Sequence, residues 1–133
     1  MFCRLVAGEA PAHVVLDDHR FFAFLDTRPL FPGHTLLIPK DHHETLPELP
    51  ADLIEPLFER TQRLAALMVD ELGAAGSFVA MNNTVSQSVP HLHVHVVPRN
   101  PKDGLRGFFW PRTTYEDDEQ AAAMATRLRA ALA

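Results

Sequence analysis

The sequence predicts an α+β fold, with an antiparallel sheet and helices gathered on one side of it. Two observations support this prediction. Five short apolar stretches are bounded by turn residues, as strands are, and two longer stretches repeat apolar residues at helical spacing. The chain has 133 residues, 47% of them hydrophobic, which is enough for one core and about one domain.

The first three predicted strands lie in the N-terminal part of the chain. Residues 13–16 and 20–26 form two apolar runs that are joined by a turn at Asp17-Asp18. Pro32-Gly33 then turns the chain into a third strand over residues 34–38. Such short connections favour antiparallel pairing of neighbouring strands.

A long helix is predicted over about residues 51–72. Pro50 suits a helix start and Gly73 suits a C-terminal stop. Pro56 lies inside the pattern, so it should either kink the helix or mark its true first turn. The apolar positions that recur at helical spacing are Ile54, Leu57, Phe58, Leu64, Ala65, Met68 and Leu72.

Two more strands and a last helix complete the predicted elements. The strands cover residues 77–81 and 91–97, and the helix covers about residues 116–132. Acidic residues occupy the first turn of this helix, and Arg127 and Arg129 occupy its last turn. The helix dipole favours this distribution of charge.

Three histidines alternate with aliphatic residues in the last predicted strand. The run His91-Leu92-His93-Val94-His95-Val96-Val97 has a period of two, so a strand would place its imidazoles on one face and its aliphatic side chains on the other. Same-face neighbours on a strand lie roughly 6.6–7 Å apart. At that spacing, two or three imidazoles can contact different atoms of one small, charged ligand.

The sequence leaves four interpretations of the histidine run open. A surface strand with chance histidines is disfavoured, because histidine is no favoured strand residue and three of them fall in register. A metal site lacks support, because no acidic residue lies within the run and the chain has a single cysteine. A pH-sensing cluster is the third interpretation. The fourth is nucleophilic and acid–base chemistry on a phosphate, and the flanking residues favour it.

The segment before the histidines, residues 81–90, is rich in hydroxyl and amide side chains. Such a loop can offer hydroxyls and backbone N–H groups to an anion, although the same composition is also typical of an ordinary polar turn. Its position directly before three aligned histidines favours phosphate binding over a plain turn.

Charge and composition exclude several classes of protein. The formal net charge is −5 and no basic run is present, which argues against a polymeric nucleic acid as partner. A single cysteine, Cys3, rules out an internal disulfide. No apolar stretch approaches the roughly 18 residues of a membrane span, and the N-terminus lacks a signal-peptide pattern. We therefore expect no membrane partner and a cytoplasmic location.

At this point the chain resembles the histidine-triad (HIT) family, in which histidine and an apolar residue alternate before two apolar residues. Four blocks of the sequence resemble that family in the family's order, and the likeness covers residues 2 to about 99. They are residues 2–12, residues 24–26, residues 32–40, and the histidine run with its flanks Gln87-Ser88-Val89-Pro90 and Pro98-Arg99.

The resemblance implies a fold and a domain organisation. It implies a five-stranded antiparallel sheet with two main helices, usually paired with a second subunit in a two-fold homodimer. We expect one HIT domain over residues 1–133, with its core over residues 2–99. Residues 100–133 would form a tail segment and the C-terminal helix.

The resemblance also implies roles for the matching residues. The middle histidine, His93, would attack the α-phosphorus and form a nucleotidyl-histidine intermediate, and His95 would contact the phosphate or the leaving group. His91 and His34 match supporting histidines. Ser88, Gln87 and either Asn82 or Asn83 would meet the phosphate, Asp26 would receive the ribose hydroxyls, and Phe2, Leu5, Phe24 and Leu25 would surround the base. For these last four residues, plain core packing is a nearly equal alternative.

One departure from the family pattern concerns metals. Many bacterial relatives hold zinc with a Cys-x-x-Cys pair and two histidines, whereas here only Cys3 remains, with His42 or His43 and with His91. Three such ligands would hold zinc poorly. We therefore expect neither a metal nor another cofactor, apart from Mg²⁺ that a substrate brings with it.

The segment after residue 100 is similar to two branches of the family at once. Trp110-Pro111 is similar to the tail of the Hint branch, where a tryptophan reaches the neighbouring subunit's active site. A dimer contact without any substrate role is the alternative for Trp110. The acidic, alanine-rich last helix is similar to the Fhit branch, whose enzymes cleave dinucleoside polyphosphates. The sequence therefore stands between the Hint and Fhit branches.

Two classes of function follow from the resemblance. The first is a nucleotide hydrolase or nucleotidyl transferase that acts at the α-phosphate of a purine ribonucleotide conjugate, either a phosphoramidate or a dinucleoside polyphosphate. The second is a nucleotide-binding or partner-binding regulatory protein with little turnover. Nothing in the sequence supports a loss of activity, because the three histidines of the run, His34 and Ser88 are all present.

Overall fold

The structure is a computed structural model that describes residues 1–105 and 111–132. The chain divides into two compact units, Met1–Asp103 and Gly104–Ala133. The first unit contains the predicted core of residues 2–99, and the second corresponds to most of the predicted tail. The predicted contact of Trp110 lies outside the described residues.

The first unit is built on a five-stranded antiparallel sheet with the strand order β1-β2-β3-β5-β4. The α+β fold class and the five strands are therefore confirmed. Strands β1 and β4 form the two edges of the sheet. The strands are β1 (Val14–Asp17), β2 (Phe21–Leu25), β3 (Thr35–Pro39), β4 (Gly76–Ala80) and β5 (Val94–Arg99).

Helices complete the first unit. A short helix, α1 (Phe2–Val6), opens the chain, and a 3₁₀ turn at Leu46–Glu48 precedes the long helix α2 (Ala51–Asp70). The sequence analysis missed α1, since five residues are too few to show a helical repeat.

Helix α2 begins and ends close to the predicted limits. Pro50 is its N-cap residue, and Pro56 lies inside the helix, so the interpretation of Pro56 as the true first turn was wrong. The helix stops before Gly73, which adopts a φ of +72° and donates its N–H to the carbonyl of Val69 at 3.1 Å. Glycine reaches this backbone conformation without the strain that a Cβ would add.

The sheet separates two apolar clusters. Helix α2 packs against one face of the sheet and buries the first cluster there. Its members include Leu57 and Leu64 of the helix and Phe21, Leu37, Leu92, Val94 and Val96 from the sheet and the segment before β5. The opposite face carries the second cluster. Its buried members are Phe2, Phe22, Phe24, Leu36 and Ile38. Strands β2 and β3 are consequently buried on both faces, which explains their continuous apolar sequences.

The last strand differs from its predicted position. The sequence predicts a strand over residues 91–97, whereas β5 covers Val94–Arg99, so His91 and His93 precede the strand. The N–H of Leu92 donates to the carbonyl of His43 at 2.7 Å instead of to a neighbouring strand. The alternation nevertheless persists, because Leu92, Val94 and Val96 all join the cluster under α2. His95 lies across from Leu36 of β3, on the other face.

The second unit contains the helix α3 (Asp118–Leu132), which begins two residues after the predicted start. The carboxylate of Asp117 accepts the N–H of Gln120 at 2.8 Å and so caps this helix. None of the described helices has both the length and the apolar character that crossing a membrane requires.

Candidate active site

A cleft of about 950 Å³ lies over the sheet face that carries α1 and the histidines. Eight residues singled out from the sequence line it, and they belong to four separate stretches of the chain. These residues are Phe2, Leu5, Phe24, Leu25, Asp26, Ser88, His93 and His95. The fold therefore gathers an apolar wall, one carboxylate, one hydroxyl and two imidazoles around one space.

His93 is held in a defined tautomer. Its Nδ1 lies 2.7 Å from the carbonyl oxygen of His91, and a carbonyl oxygen can only accept, so Nδ1 carries the proton. In the neutral ring, Nε2 then keeps its lone pair. The ring is buried, and the ring of Phe2 packs edge-on against it with centroids 5.1 Å apart. The second nitrogen of His93 is thus a free base on a fixed ring.

His95 receives its orientation from His34. The backbone N–H of Leu30 donates to His34 Nδ1 at 3.1 Å, which leaves the proton of the neutral His34 ring on Nε2. That Nε2–H lies 2.9 Å from His95 Nδ1 and donates to it. The neutral His95 ring therefore carries its own proton on Nε2 and acts as a hydrogen-bond donor there.

Burial keeps both of these rings neutral at pH 7. Burial, together with the neighbouring His93 and His34, lowers the pKa of His95 to about 4, and the Asp26 carboxylate opposes this shift only in part. Burial also lowers the pKa of His34, and the carboxylate of Asp26 partly opposes that shift. In the free protein, His95 therefore presents an uncharged imidazole to the cleft, and His34 behind it is uncharged as well.

Asp26 lies beside the histidines and faces the cleft. Its backbone N–H donates to the carbonyl of His34 at 2.9 Å, which ties the end of β2 to the start of β3. One carboxylate oxygen accepts the backbone N–H of Arg28 at 2.9 Å, and the other lies 3.7 Å from His34 Nε2. The side chain of Asp26 remains 23% exposed, so its oxygens can accept further hydroxyl donors.

His91 lies outside the cleft lining and supports His93 from behind. It is buried, and its Nε2 donates to the carbonyl of Pro39 at 2.8 Å. Its own carbonyl accepts the Nδ1 proton of His93. His91 therefore contributes to the site through its backbone oxygen and through packing against Phe2.

The loop before the histidines brings one of its four predicted phosphate ligands to the cleft. Ser88 lines the cleft, whereas Gln87, Asn83 and Asn82 do not. Gln87 donates from Nε2 to the carbonyl of Glu44 at 2.6 Å, and Asn83 Oδ1 accepts the N–H of Leu46 at 2.7 Å. These two amides fasten the loop to the chain before α2, and Asn82 is exposed.

The apolar wall serves the core and the cleft at once. Phe2 and Phe24 are buried, pack edge-to-face with centroids 5.4 Å apart and also line the cleft. The two interpretations of these residues from the sequence are thus compatible. Sequence reasoning missed nine further lining residues, because their place depends on strand register and on loop conformation. They are Met1, Ala10, Pro11, Ala12, His13, Thr27, Arg28, Leu36 and Val89.

Comparison with known proteins identifies the family. A family model described as the HIT domain matches residues 7–102. The chain belongs to the HIT family. An adenylylsulfatase of Arabidopsis thaliana is 32% identical over 107 residues, which cover 79% of this chain and 54% of that protein. An adenosine 5′-monophosphoramidase of Candida albicans is 29% identical over 125 residues, which cover 90% of this chain and 82% of that protein.

Solved structures of HIT proteins share the fold. A HIT family protein of Bacillus subtilis superposes with a TM-score of 0.86 at 32% identity, over 100% of this chain and 96% of that one. A zinc-bound histidine-triad protein of Mycobacterium smegmatis superposes with a TM-score of 0.73 at 35% identity, over 98% of this chain and 95% of that one.

One group of donors in the described chain fits zinc in its spacing. Cys3 Sγ lies 3.5 Å from His42 Nδ1 and 3.6 Å from His91 Nδ1. In a tetrahedral zinc site with bonds of about 2.3 Å to sulfur and about 2.0–2.1 Å to nitrogen, these atoms would lie about 3.5 Å apart. The hydrogen bond from His91 Nε2 to Pro39 leaves Nδ1 free to coordinate. His42, not His43, belongs to this group.

A second group of potential ligands has a different explanation. Asp26, His34 and His95 also offer ligand atoms within 4.8 Å of one another. Here, however, the facing nitrogens of the two histidines already share a hydrogen bond of 2.9 Å. The lone pair of His95 Nδ1 is therefore occupied, and a metal ion at this group would have to displace the hydrogen bond between the two histidines.

The fold is expected to survive removal of metal ions. The apolar clusters on the two faces of the sheet are built from other residues than the three zinc-compatible donors, and three protein ligands hold zinc less firmly than four. Protein treated with EDTA should keep its circular dichroism spectrum, and elemental analysis should find less than one zinc per chain. Cys3→Ser is the matched control. Unfolding on chelation, or stoichiometric zinc that Cys3→Ser abolishes, would contradict the expectation.

Proposed function

We propose that this HIT protein is a nucleotide hydrolase or nucleotidyl transferase that acts at the α-phosphate of a ribonucleotide conjugate. The observation that carries the proposal is the buried His93, whose Nδ1–H is held by the His91 carbonyl so that Nε2 is the reactive nitrogen, in a cleft that also holds His95 and Asp26. The adenylylsulfatase and the adenosine 5′-monophosphoramidase among its relatives support the same class of reaction.

The geometry suggests how the reaction proceeds. His93 Nε2 attacks the α-phosphorus, an N–P bond forms, and the bond from phosphorus to the leaving group breaks. His95 donates from Nε2 to the phosphate or to the departing atom, and the hydroxyl of Ser88 provides a second donor. Water then cleaves the N–P bond, which releases the nucleoside monophosphate and restores His93.

The substrate is recognised as a ribonucleotide in this proposal. Asp26 accepts the adjacent ribose hydroxyls, because a carboxylate accepts two O–H donors readily. The base lies against the apolar wall. This wall offers contact area but no hydrogen-bond partners, so it favours the larger purine bases only mildly. The wall consists of Phe2, Leu5, Phe24 and Leu25.

The chemistry needs no resident cofactor in this proposal. The nucleophile and the donor are imidazoles, and the zinc-compatible donor Cys3 is not among the residues that line the cleft. Mg²⁺ would enter with a polyphosphate substrate, bound to its phosphates. Both a phosphoramidate and a dinucleoside polyphosphate fit this scheme, because each presents a leaving group on the α-phosphorus.

We also propose that two copies of the chain form a homodimer. Ile54, Phe58 and Val69 follow one another along one side of α2, Leu72 comes just after the end of the helix, and each is more than 40% exposed. Val79 of the edge strand β4 is 40% exposed and pairs with the buried Val96, so it lies on the sheet face that α2 covers. A second copy would cover this apolar patch and the open edge of β4 together.

His93→Ala is expected to lower turnover of an adenosine phosphoramidate by roughly 10⁴-fold, about 5.5 kcal/mol of barrier, because the attacking nitrogen is lost. Binding of AMP should be largely kept. Single-turnover assays with the phosphoramidate and with a dinucleoside tetraphosphate measure this directly and also show which leaving group is preferred. Near-normal turnover by the variant would remove His93 as nucleophile, and a wild type without turnover would favour a regulatory binding protein.

Asp26 is expected to distinguish ribose from deoxyribose. A charge-assisted hydrogen bond contributes roughly 1.5–3 kcal/mol, so AMP should bind about 10- to 150-fold more tightly than 2′-deoxy-AMP. Calorimetric titration of both ligands into wild type and Asp26→Ala measures the ratio, which should fall towards one in the variant. Equal affinities in the wild type, or an unchanged ratio in the variant, would exclude Asp26 as the ribose contact.

The proposed dimer predicts a sedimentation mass of about twice 14.9 kDa at micromolar concentration, with a buried area of at least about 1,000 Å². Phe58→Glu should shift the protein towards the monomer, because it places a charge in the apolar patch. Arg63→Glu is the control, since the Arg63 side chain is 65% exposed on another side of α2. A monomeric wild type, or equal effects of the two variants, would contradict the dimer.

A further inference from the structure

Arg28 gives the cleft a charge that the sequence analysis did not foresee. Among the described side chains that line the cleft, it is the one with a permanent positive charge, and Asp26 is the one carboxylate. The other lining side chains are apolar, hydroxyl or imidazole groups. Since burial keeps His95 neutral at pH 7, Arg28 supplies the lasting attraction for an anion there.

The backbone holds Arg28 in a fixed place beside Asp26. The N–H of Arg28 donates to Asp26 Oδ1 at 2.9 Å, and Pro29 restricts Arg28 to extended backbone conformations. The next residue, Leu30, donates its N–H to His34 Nδ1 at 3.1 Å. The backbone on both sides of Arg28 is thus hydrogen-bonded to side chains of the site, Asp26 before it and His34 after it.

The guanidinium of Arg28 has no acidic partner within residues 1–105 and 111–132, in contrast to Arg60 and Arg99 of the first unit. Arg60 pairs with Asp18 at 2.7 Å and Arg99 pairs with Asp103 at 2.6 Å. Asp26 lies two residues before Arg28, but its carboxylate accepts the backbone N–H of Arg28 and forms no ion pair with the guanidinium. The charge of Arg28 is therefore available to a ligand in the cleft.

We propose that Arg28 forms a second anion-binding subsite, which contacts a negatively charged group of the substrate other than the reacting α-phosphate. The inference rests on the proposed function, because it assumes a ribonucleotide with its α-phosphate at His93 and its ribose at Asp26. A planar guanidinium matches the paired oxygens of a phosphate or a sulfate. Two sources present such a group: a phosphate on the ribose, or the phosphoryl leaving group.

The neighbouring carboxylate makes the effect of Arg28 measurable. A second anion placed beside Asp26 would be repelled by that carboxylate if Arg28 were absent, so it would weaken nucleotide binding. With Arg28 in place, the attraction offsets the repulsion, and the second anion strengthens binding. Removing Arg28 should therefore change the preference between nucleotides that differ only in this group.

Calorimetric titration with three ligands tests the subsite. AMP carries only the α-phosphate, adenosine 3′,5′-bisphosphate adds a phosphate on the ribose, and α,β-methylene-ADP adds one on the leaving-group side. We expect one of the two added phosphates to improve binding over AMP by about five-fold or more at low salt, and the gain to shrink at high salt. The ligand that shows the gain identifies the source of the second anion.

Variants assign the gain to Arg28. In Arg28→Ala the gain over AMP should disappear, and in Arg28→Lys it should be reduced, because the charge remains but the fork of donors is lost. Arg63→Ala, which removes an exposed arginine of α2, should keep the full gain. AMP binding and circular dichroism confirm that each variant is folded.

The results separate this inference from the proposed function. If AMP binds but neither added phosphate improves affinity, or if the gain persists in Arg28→Ala, the subsite is wrong while the proposed function stands. If the wild type neither binds AMP nor cleaves a nucleoside phosphoramidate, the proposed function fails and the subsite fails with it.

Discussion

The hydrogen bond from His93 Nδ1–H to the carbonyl oxygen of His91 decides which nitrogen of His93 can react. It exists because the chain is not yet a strand at this point, so the His91 carbonyl is not committed to a neighbouring strand and turns back to the ring of His93 instead. Strand β5 begins one residue later, at Val94. The prediction that this strand begins at His91 was wrong. The irregular backbone at His91 and His93 is thus what fixes the tautomer of the proposed nucleophile.

The aliphatic half of the histidine run anchors the polar half. Val94 and Val96 are fully buried under α2, and burying such side chains contributes about 1.5–3 kcal/mol each. A shift of one residue in the pairing of β5 would expose both valines and push His95 into the apolar cluster. The core on one face of the sheet therefore sets the register of β5, and this register decides that His95 lies on the other face. Stability and the geometry of the site depend on the same alternation.

The sequence predicted those parts of the fold and of the site that depend on local pattern. Short apolar runs bounded by turn residues located the strands, helical spacing located α2, and the alternation in the histidine run placed the histidines opposite the aliphatic residues. Parts that depend on distant partners were not predictable. The amides of Asn83 and Gln87 suggested phosphate contacts by composition, yet both bond to the backbone near residue 45, about forty positions away along the chain. The place of Arg28 in the cleft likewise follows from a turn that its own N–H closes on Asp26.

The charges of the cleft connect substrate binding to proton uptake. In the free protein His95 has a pKa of about 4, so it is neutral at pH 7 and donates only a hydrogen bond. Under the proposed function, an α-phosphate beside this ring favours its charged form and raises its pKa, since the anion offsets part of the cost of burying the imidazolium. At the subsite proposed for Arg28, the guanidinium attracts the second anionic group of the substrate at any pH, whereas His95 gains positive charge after the α-phosphate has arrived. The cleft thus combines a permanent charge for capture with an inducible one next to the reacting phosphorus, where a proton is needed by the leaving group.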